Sequence, residues 1–306
     1  MKKIITYLTL ILLLAGCDGE QLYKSVMVSR VHMANLTLKS YQLDDGMTMK
    51  YYENNVQSDK TLVLLHGFTD NKETWLLFAH GLAHRYHLII PDQIGFGESS
   101  HPSGIDYSLK KQSERLNQFL THFPNQNFVV MGNSMGGGIA LKYASNYPTK
   151  GLILLDSMGV KGEKEPYFTT LSKEQQTKYT YEVCSAEALD TLLHIFMQRV
   201  PYSPRSVLEY LSKERCARNA LTKEQSKEIF DEDFQVHNDQ LDEAKSINVP
   251  TLILWGKEDK MVDVSSAYKL KEVIKDSQLK VYNNVGHLPM QEIPYPLARD
   301  VRNFLR

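Results

Sequence analysis

The sequence predicts an α/β protein: a mostly parallel central sheet with an antiparallel start, helices on both faces and a helical segment inserted late in the sheet. Three observations carry this expectation. An Asp-Gly turn separates two alternating runs near the start, short runs that are apolar throughout then alternate with helical stretches, and one connection is far longer than the rest.

Leu36 to Tyr41 and Met47 to Tyr52 flank Asp44-Asp45-Gly46, and an Asp-Gly pair between alternating runs is a strong hairpin signal. Six apolar runs follow: Thr61 to Leu65, His87 to Ile90, Phe128 to Met131, Leu152 to Leu155, Thr251 to Trp255 and Leu279 to Tyr282. Strands that are apolar on both faces suit a parallel sheet covered on each side by helices. The stretch between Leu155 and Thr251 greatly exceeds the dozen or so residues that a crossover needs, so residues 157–245 are expected to form a separate helical insertion. Within it Leu189, Leu192, Leu193, Phe196 and Met197 repeat at helical spacing and form one apolar stripe. Such a stripe faces a core or, as this position in the chain favours, roofs a site as a cap that accepts an apolar chain. Residues 17–156 and 246–306 then make up the core, with Asn248-Val249-Pro250 leading back into the sheet.

Composition narrows the function. A 306-residue chain with 42 % hydrophobic and 23 % charged residues can bury one large core. Its 35 Lys and Arg nearly balance 36 Asp and Glu, so no basic field recommends nucleic acid as a partner. No His/Cys cluster at ligand spacing implies a metal or an organic cofactor.

The N-terminus reads as an export signal, with Lys2 and Lys3, an apolar run from Ile4 to Leu14, and small residues at Ala15 and Gly16. The run falls short of the roughly 20 apolar residues that a membrane span requires. An uncleaved N-terminal anchor is the alternative. Leu14-Ala15-Gly16-Cys17 resembles the lipobox of bacterial lipoproteins, which implies removal of residues 1–16, acylation of Cys17, and an exported, membrane-anchored protein facing the periplasm. Asp18, next in the chain, resembles an inner-membrane retention signal. Cys184 and Cys216 remain as an even pair in an exported chain, so they form either a disulfide or two buried thiols.

Chemistry concentrates at Gly132-Asn133-Ser134-Met135-Gly136, a G-x-S-x-G pattern between an apolar strand and the helix-forming Ile139-Ala140-Leu141. A sharp strand-to-helix turn lifts the serine hydroxyl above the sheet edge, and glycines on either side of it avoid Cβ clashes. A phosphate-binding loop would end in Lys-Ser/Thr, which is missing here. His287, in Val285-Gly286-His287-Leu288-Pro289, follows the last strand and can act as the proton-transfer base. His66 is its main competitor.

With this serine, an acid and His287 in the order Ser, Asp, His, the chain resembles the α/β-hydrolases. Gly256-Lys257-Glu258-Asp259 is similar to the family's Gly-x-x-Asp loop, which implies Asp259 as the acid. Glu258, Asp263 and Asp156 are alternatives, Asp156 at the acid position of a minority of relatives. The resemblance further implies that His66-Gly67-Phe68 serves loop geometry, and that the backbone N–H groups of Phe68 and Met135 form the oxyanion hole. Pro91 to Ser99 resembles a shaping loop without chemistry of its own. The run from His66 to Trp75, together with the serine motif, most resembles cold-adapted bacterial lipases and membrane-bound monoacylglycerol lipases. That implies a lipid-ester substrate such as an acylglycerol. Haloalkane dehalogenases and epoxide hydrolases place aspartate at the elbow and so differ from this chain. Carbon-carbon bond hydrolases and perhydrolases share the serine arrangement, and a lipid-binding lipoprotein without catalysis is the alternative of another class.

Overall fold

The computed structural model describes residues 18–124, 127–231, 237 and 239–306. The expected signal segment and Cys17 lie outside the described residues. Strands β1 (Leu36–Gln42) and β2 (Thr48–Asn54) pair antiparallel across the Asp-Gly turn, with Gln42 opposite Thr48. Gly46 takes φ 83° there, a conformation that a residue without Cβ adopts freely.

The remaining strands are β3 (Thr61–Leu65), β4 (His87–Pro91), β5 (Phe128–Asn133), β6 (Gly151–Leu155), β7 (Thr251–Gly256) and β8 (Ser277–Tyr282). They complete an eight-stranded sheet in the order β1-β2-β4-β3-β5-β6-β7-β8. β2 runs antiparallel to β4, and every later pairing is parallel. Each central strand divides its side chains between two cores: Val63, Leu65, Val130, Leu154 and Trp255 enter one, while Leu62, Leu64, Met131, Leu155 and Leu254 enter the other. Strand side chains alternate in direction, so burial on both faces is what makes the runs apolar throughout.

Helices α1 (Gly19–Met33), α2 (Leu76–His80), α3 (Leu109–Leu120) and α4 (Met135–Asn146) precede β6. Between β6 and β7 lie α5 (Lys173–Tyr181), α6 (Ala186–Phe196), α7 (Arg205–Ala217), α8 (Asn219–Ile229) and α9 (Leu241–Ser246). Beyond β7 come α10 (Ser265–Val273), α11 (Pro289–Glu292) and α12 (Pro294–Phe304). The helices between β6 and β7 have a small core of their own, formed by Val183, Ala186, Leu189, Leu192 and Leu208. A disulfide between Cys184 and Cys216 ties the approach to α6 to the end of α7, with the two Cα atoms 4.8 Å apart.

α1 has little apolar periodicity, and its Val26, Val28 and Met33 are exposed. Tertiary contacts hold it. A Cβ on Gly19 would sit 1.9 Å from the Ser206 carbonyl oxygen, the Tyr23 hydroxyl donates to Glu73 at 2.5 Å, and the Tyr23 ring lies 5.8 Å from that of Tyr210. Among the described residues no helix is long and apolar enough to cross a membrane.

Candidate active site

Ser134 occupies the bend between β5 and α4 with φ 53° and ψ −118°, a conformation that costs a non-glycine residue on the order of 1–3 kcal/mol. Close packing over-determines it. A Cβ on Gly132 would meet the Gly136 carbonyl oxygen at 2.0 Å, and one on Gly136 would meet the Leu65 carbonyl oxygen at 2.2 Å. The Ser134 N–H donates to Leu155 O, and its carbonyl accepts from the N–H groups of Gly138 and Met158, all at 3.1 Å. Met135 opens α4, so its N–H is one of the helix-terminal donors without an intrahelical acceptor.

His287 lies in the loop between β8 and α11 and is buried. Its Nδ1 is 2.7 Å from Asp259 Oδ2, while Asp259 Oδ1 accepts from the N–H groups of Met261 at 2.7 Å and Val262 at 3.0 Å. The other carboxylates near this loop are engaged elsewhere. Glu258 accepts from the Val285 N–H, and Asp263 accepts from the Ser265 N–H at the start of α10. Asp156, immediately after β6, is fully buried beside Asp259, and its Oδ1 accepts from the Gly256 N–H at 2.7 Å. Burial first, and then the adjacent Asp259 charge, push the Asp156 carboxyl well above the usual carboxylate range. Asp156, Asp259 and His287 are the one trio of potential metal-ligating side chains among the described residues, with Asp259 hydrogen-bonded to His287 and Asp156 to the Gly256 N–H.

Three contacts hold the His287 loop in place. The His287 N–H donates to Phe196 O at 2.7 Å, Asn133 Nδ2 donates to His287 O at 3.1 Å, and Glu292 Oε1 accepts from the Gly286 N–H at 2.7 Å. The Phe196 ring stacks on the imidazole with centroids 5.8 Å apart.

The His66-Gly67-Phe68 loop lies against the bend, where a Cβ on Gly67 would come within 3.4 Å of Ser134 Cβ. His66 is fully buried, which holds its pKa below the ordinary histidine range. Its Nε2 accepts from the Gln93 N–H at 3.1 Å, so in the neutral ring Nδ1 carries the proton and donates to Gly67 O at 2.8 Å. Both nitrogens are thus committed to loop geometry. Thr69 follows with φ 60° and is braced from α7, where Arg215 Nη2 donates to its hydroxyl at 2.9 Å. The loop over 91–99 supports the same region. The buried Asp92 accepts from the Lys72 N–H at 2.7 Å, from Lys72 Nζ at 2.8 Å and from the Glu98 N–H at 2.8 Å.

Ser134 and His287 line one cavity of about 440 Å³, and Gly67, Phe68 and Asp70 line it from the loop side. From α6, Leu189, Leu192, Leu193 and Phe196 face into it. Met197, the fifth member of the sequence stripe, packs instead into the sheet core. The reason is local: α6 stops at Phe196, and Met197 is extended (φ −121°, ψ 146°), which breaks the helical phase.

Sequence reasoning missed Arg215, Glu292 and the tethering role of Asn133, since their contacts join segments far apart in the chain. Asp156 was visible as a polar residue after an apolar strand, but its closeness to Asp259 was not.

A hydroxyl at a strained bend, an imidazole backed by a carboxylate and an apolar cavity together suit acyl transfer through a serine. Residues 60–292 match the α/β hydrolase fold family, and the chain belongs to that family. It is a hydrolase, and lipases are among its relatives. It is 34 % identical over 278 residues to Lipase 3 of Moraxella sp. (strain TA144), covering 89 % of this chain and 85 % of the relative. It is 28 % identical to human monoacylglycerol lipase ABHD6, covering 80 % and 75 % of the two chains. The crystal structure of a membrane phospholipase A, described as a bacterial virulence factor, superposes with a TM-score of 0.86 at 30 % identity, over 100 % of this chain and 98 % of that one. Residues 1–17 match the prokaryotic membrane lipoprotein lipid attachment site.

Proposed function

We propose that this protein hydrolyses carboxylic esters of lipids, acylglycerols foremost, through an acyl-enzyme on Ser134. The observation that carries the reading is the His287 Nδ1 to Asp259 Oδ2 contact at 2.7 Å beside a cavity that Ser134 also lines. His287 takes the Ser134 proton as the hydroxyl attacks the ester carbonyl, and returns it to the departing alcohol. Asp259 holds the tautomer with the proton on Nδ1 and stabilises the imidazolium. The backbone N–H groups of Phe68 and Met135 receive the developing oxyanion, a contribution of about 3 kcal/mol per donor. Water then repeats the sequence to release the acid.

The helices over 157–245 act as a cap, and the α6 stripe receives the acyl chain. Lipidation of Cys17 tethers the enzyme to a membrane with its catalytic domain in the periplasm, where amphiphilic esters gather. The names of the relatives support the lipid-ester class, and the lipoprotein site supports the tether.

Fluorophosphonate labelling and p-nitrophenyl ester hydrolysis test the mechanism. The wild type should label at Ser134, Ser134→Ala and His287→Ala should lose turnover while staying folded, and Asp259→Asn should lose about 10⁴-fold in kcat, as in the best-studied triad. Undiminished hydrolysis by Ser134→Ala would refute the proposal.

A further inference from the structure

Asp156 has no part in that mechanism, yet the fold gives it an expensive setting. It follows β6 directly in a left-handed conformation, φ 44°, and its side chain is fully buried. One oxygen of Asp156, one of Asp259 and a ring nitrogen of His287 lie within 4.8 Å of one another. Asp156 Oδ1 is taken by the Gly256 N–H, whereas its buried Oδ2 meets no N–H or hydroxyl donor. The Asp259 carboxylate is the neighbouring charge that bears on it most directly.

Two buried carboxylates this close do not both stay ionised without a cation between them, and a single shared proton relieves the repulsion. The titratable groups around Asp156 are Asp259 and His287, Glu292 on α11 and Tyr282 at the end of β8. None of them supplies a permanent positive charge. The proton's location follows from the donors. Asp259 accepts from Met261, Val262 and His287, three N–H groups that favour a charged carboxylate, while Asp156 accepts from Gly256 alone.

We propose that Asp156 is a positioning residue for the triad, a neutral carboxylic acid whose hydroxyl donates to Asp259 and keeps that carboxylate turned toward His287. The proposal rests on the reading of Asp259 and His287 as the acid and base. It makes the second acid a fixed hydrogen-bond donor, whereas a substitute triad member would have to be ionised. No proton leaves Asp156 during turnover.

Asp156→Asn and Asp156→Gly test this in the full-length enzyme. The asparagine amide can still donate to Asp259 while its carbonyl accepts from Gly256, and glycine deletes the group while tolerating φ 44°. Asp156→Asn should stay within about threefold of wild-type kcat, while Asp156→Gly should lose about tenfold or more at little-changed KM, the scale of one hydrogen bond to a charged group. The downfield proton resonance of the His287 Nδ1–H bond should persist in the Asn variant and weaken or move upfield in the Gly variant. The acid limb of kcat/KM should hold its position in Asp156→Asn.

Displacement of that limb to lower pH by about one unit or more would overturn the proposal, because it would mean that a negative charge had been removed from beside the imidazole. Wild-type kcat and an unchanged resonance in a folded Asp156→Gly would overturn it too. If Asp156→Gly does not fold, the Asn variant's acid limb and resonance still decide. Failure of the wild type to hydrolyse esters or to label at Ser134 would instead remove the serine mechanism, while the resonance would still report on the Asp156 contact.

Discussion

Asn133 offers a direct test of how the bend and the His287 loop are held together. Its buried Nδ2 donates to Leu155 O at 3.2 Å and to His287 O at 3.1 Å. In Asn133→Ala the Leu155 carbonyl keeps the Ser134 N–H, so losing that bond costs about 1 kcal/mol. The His287 carbonyl keeps no such substitute, and a bare buried acceptor costs about 1–3 kcal/mol. The sum, about 3 kcal/mol, corresponds to a fall of about 1 M in the urea midpoint at a slope near 3 kcal/mol/M. With His287 held through its N–H to Phe196 and no longer through its carbonyl, kcat should drop by about tenfold or more with KM little changed, the pattern of a lost transition-state interaction. Asn133→Asp is nearly isosteric but turns carboxylate oxygens toward two carbonyl oxygens, so it should be less stable than Asn133→Ala at neutral pH. Urea unfolding and steady-state p-nitrophenyl ester kinetics on both variants make the comparison. An Asp variant as stable and as active as the wild type would refute the reasoning; a stability loss in Asn133→Ala without any change in kcat would leave Asn133 a purely structural tie.

The Cys184–Cys216 bridge spans 32 residues of sequence, and chain-entropy reasoning gives it about 3–4 kcal/mol. Calorimetry of the Cys184→Ser, Cys216→Ser double variant should therefore show a lower melting temperature than the oxidised wild type. A second expectation concerns pH. Because the folded-state pKa of Asp156 is raised, the native state binds a proton that the unfolded chain has released, and this contribution to stability is lost as pH rises above the unfolded value of about 4. Asp156→Asn should thus gain stability relative to wild type between pH 4 and pH 8, measured by urea unfolding, and a gap that is constant across this range would contradict a protonated Asp156.

Much of this molecule is written locally in its sequence. Apolar runs such as Leu62 to Leu65 and Leu252 to Trp255 mark strands buried on both faces, because alternate side chains enter separate cores. The Asp-Gly turn marks the hairpin, and the glycines around Ser134 mark a bend where backbone atoms approach within distances that no Cβ survives. Strand ends shifted by a residue or two, since pairing with neighbours rather than composition sets where a ladder stops. Helix α1 left no comparable trace, being held by Ser206, Glu73 and Tyr210 instead of by a stripe of its own.

What tertiary structure alone decided is which groups meet. Sequence could place Asp156, Glu258, Asp259 and Asp263 near strand ends, but the three-dimensional turn after β7 points one of them at His287 and another at its own backbone. The same closure sets Asp156 against Asp259 across a gap of 103 residues, joins Arg215 to Thr69, and hangs His287 from Asn133. Hydrogen bonds and shared protons depend on distances of a few ångströms between segments remote in the chain, and residue order does not encode those distances until the sheet has closed.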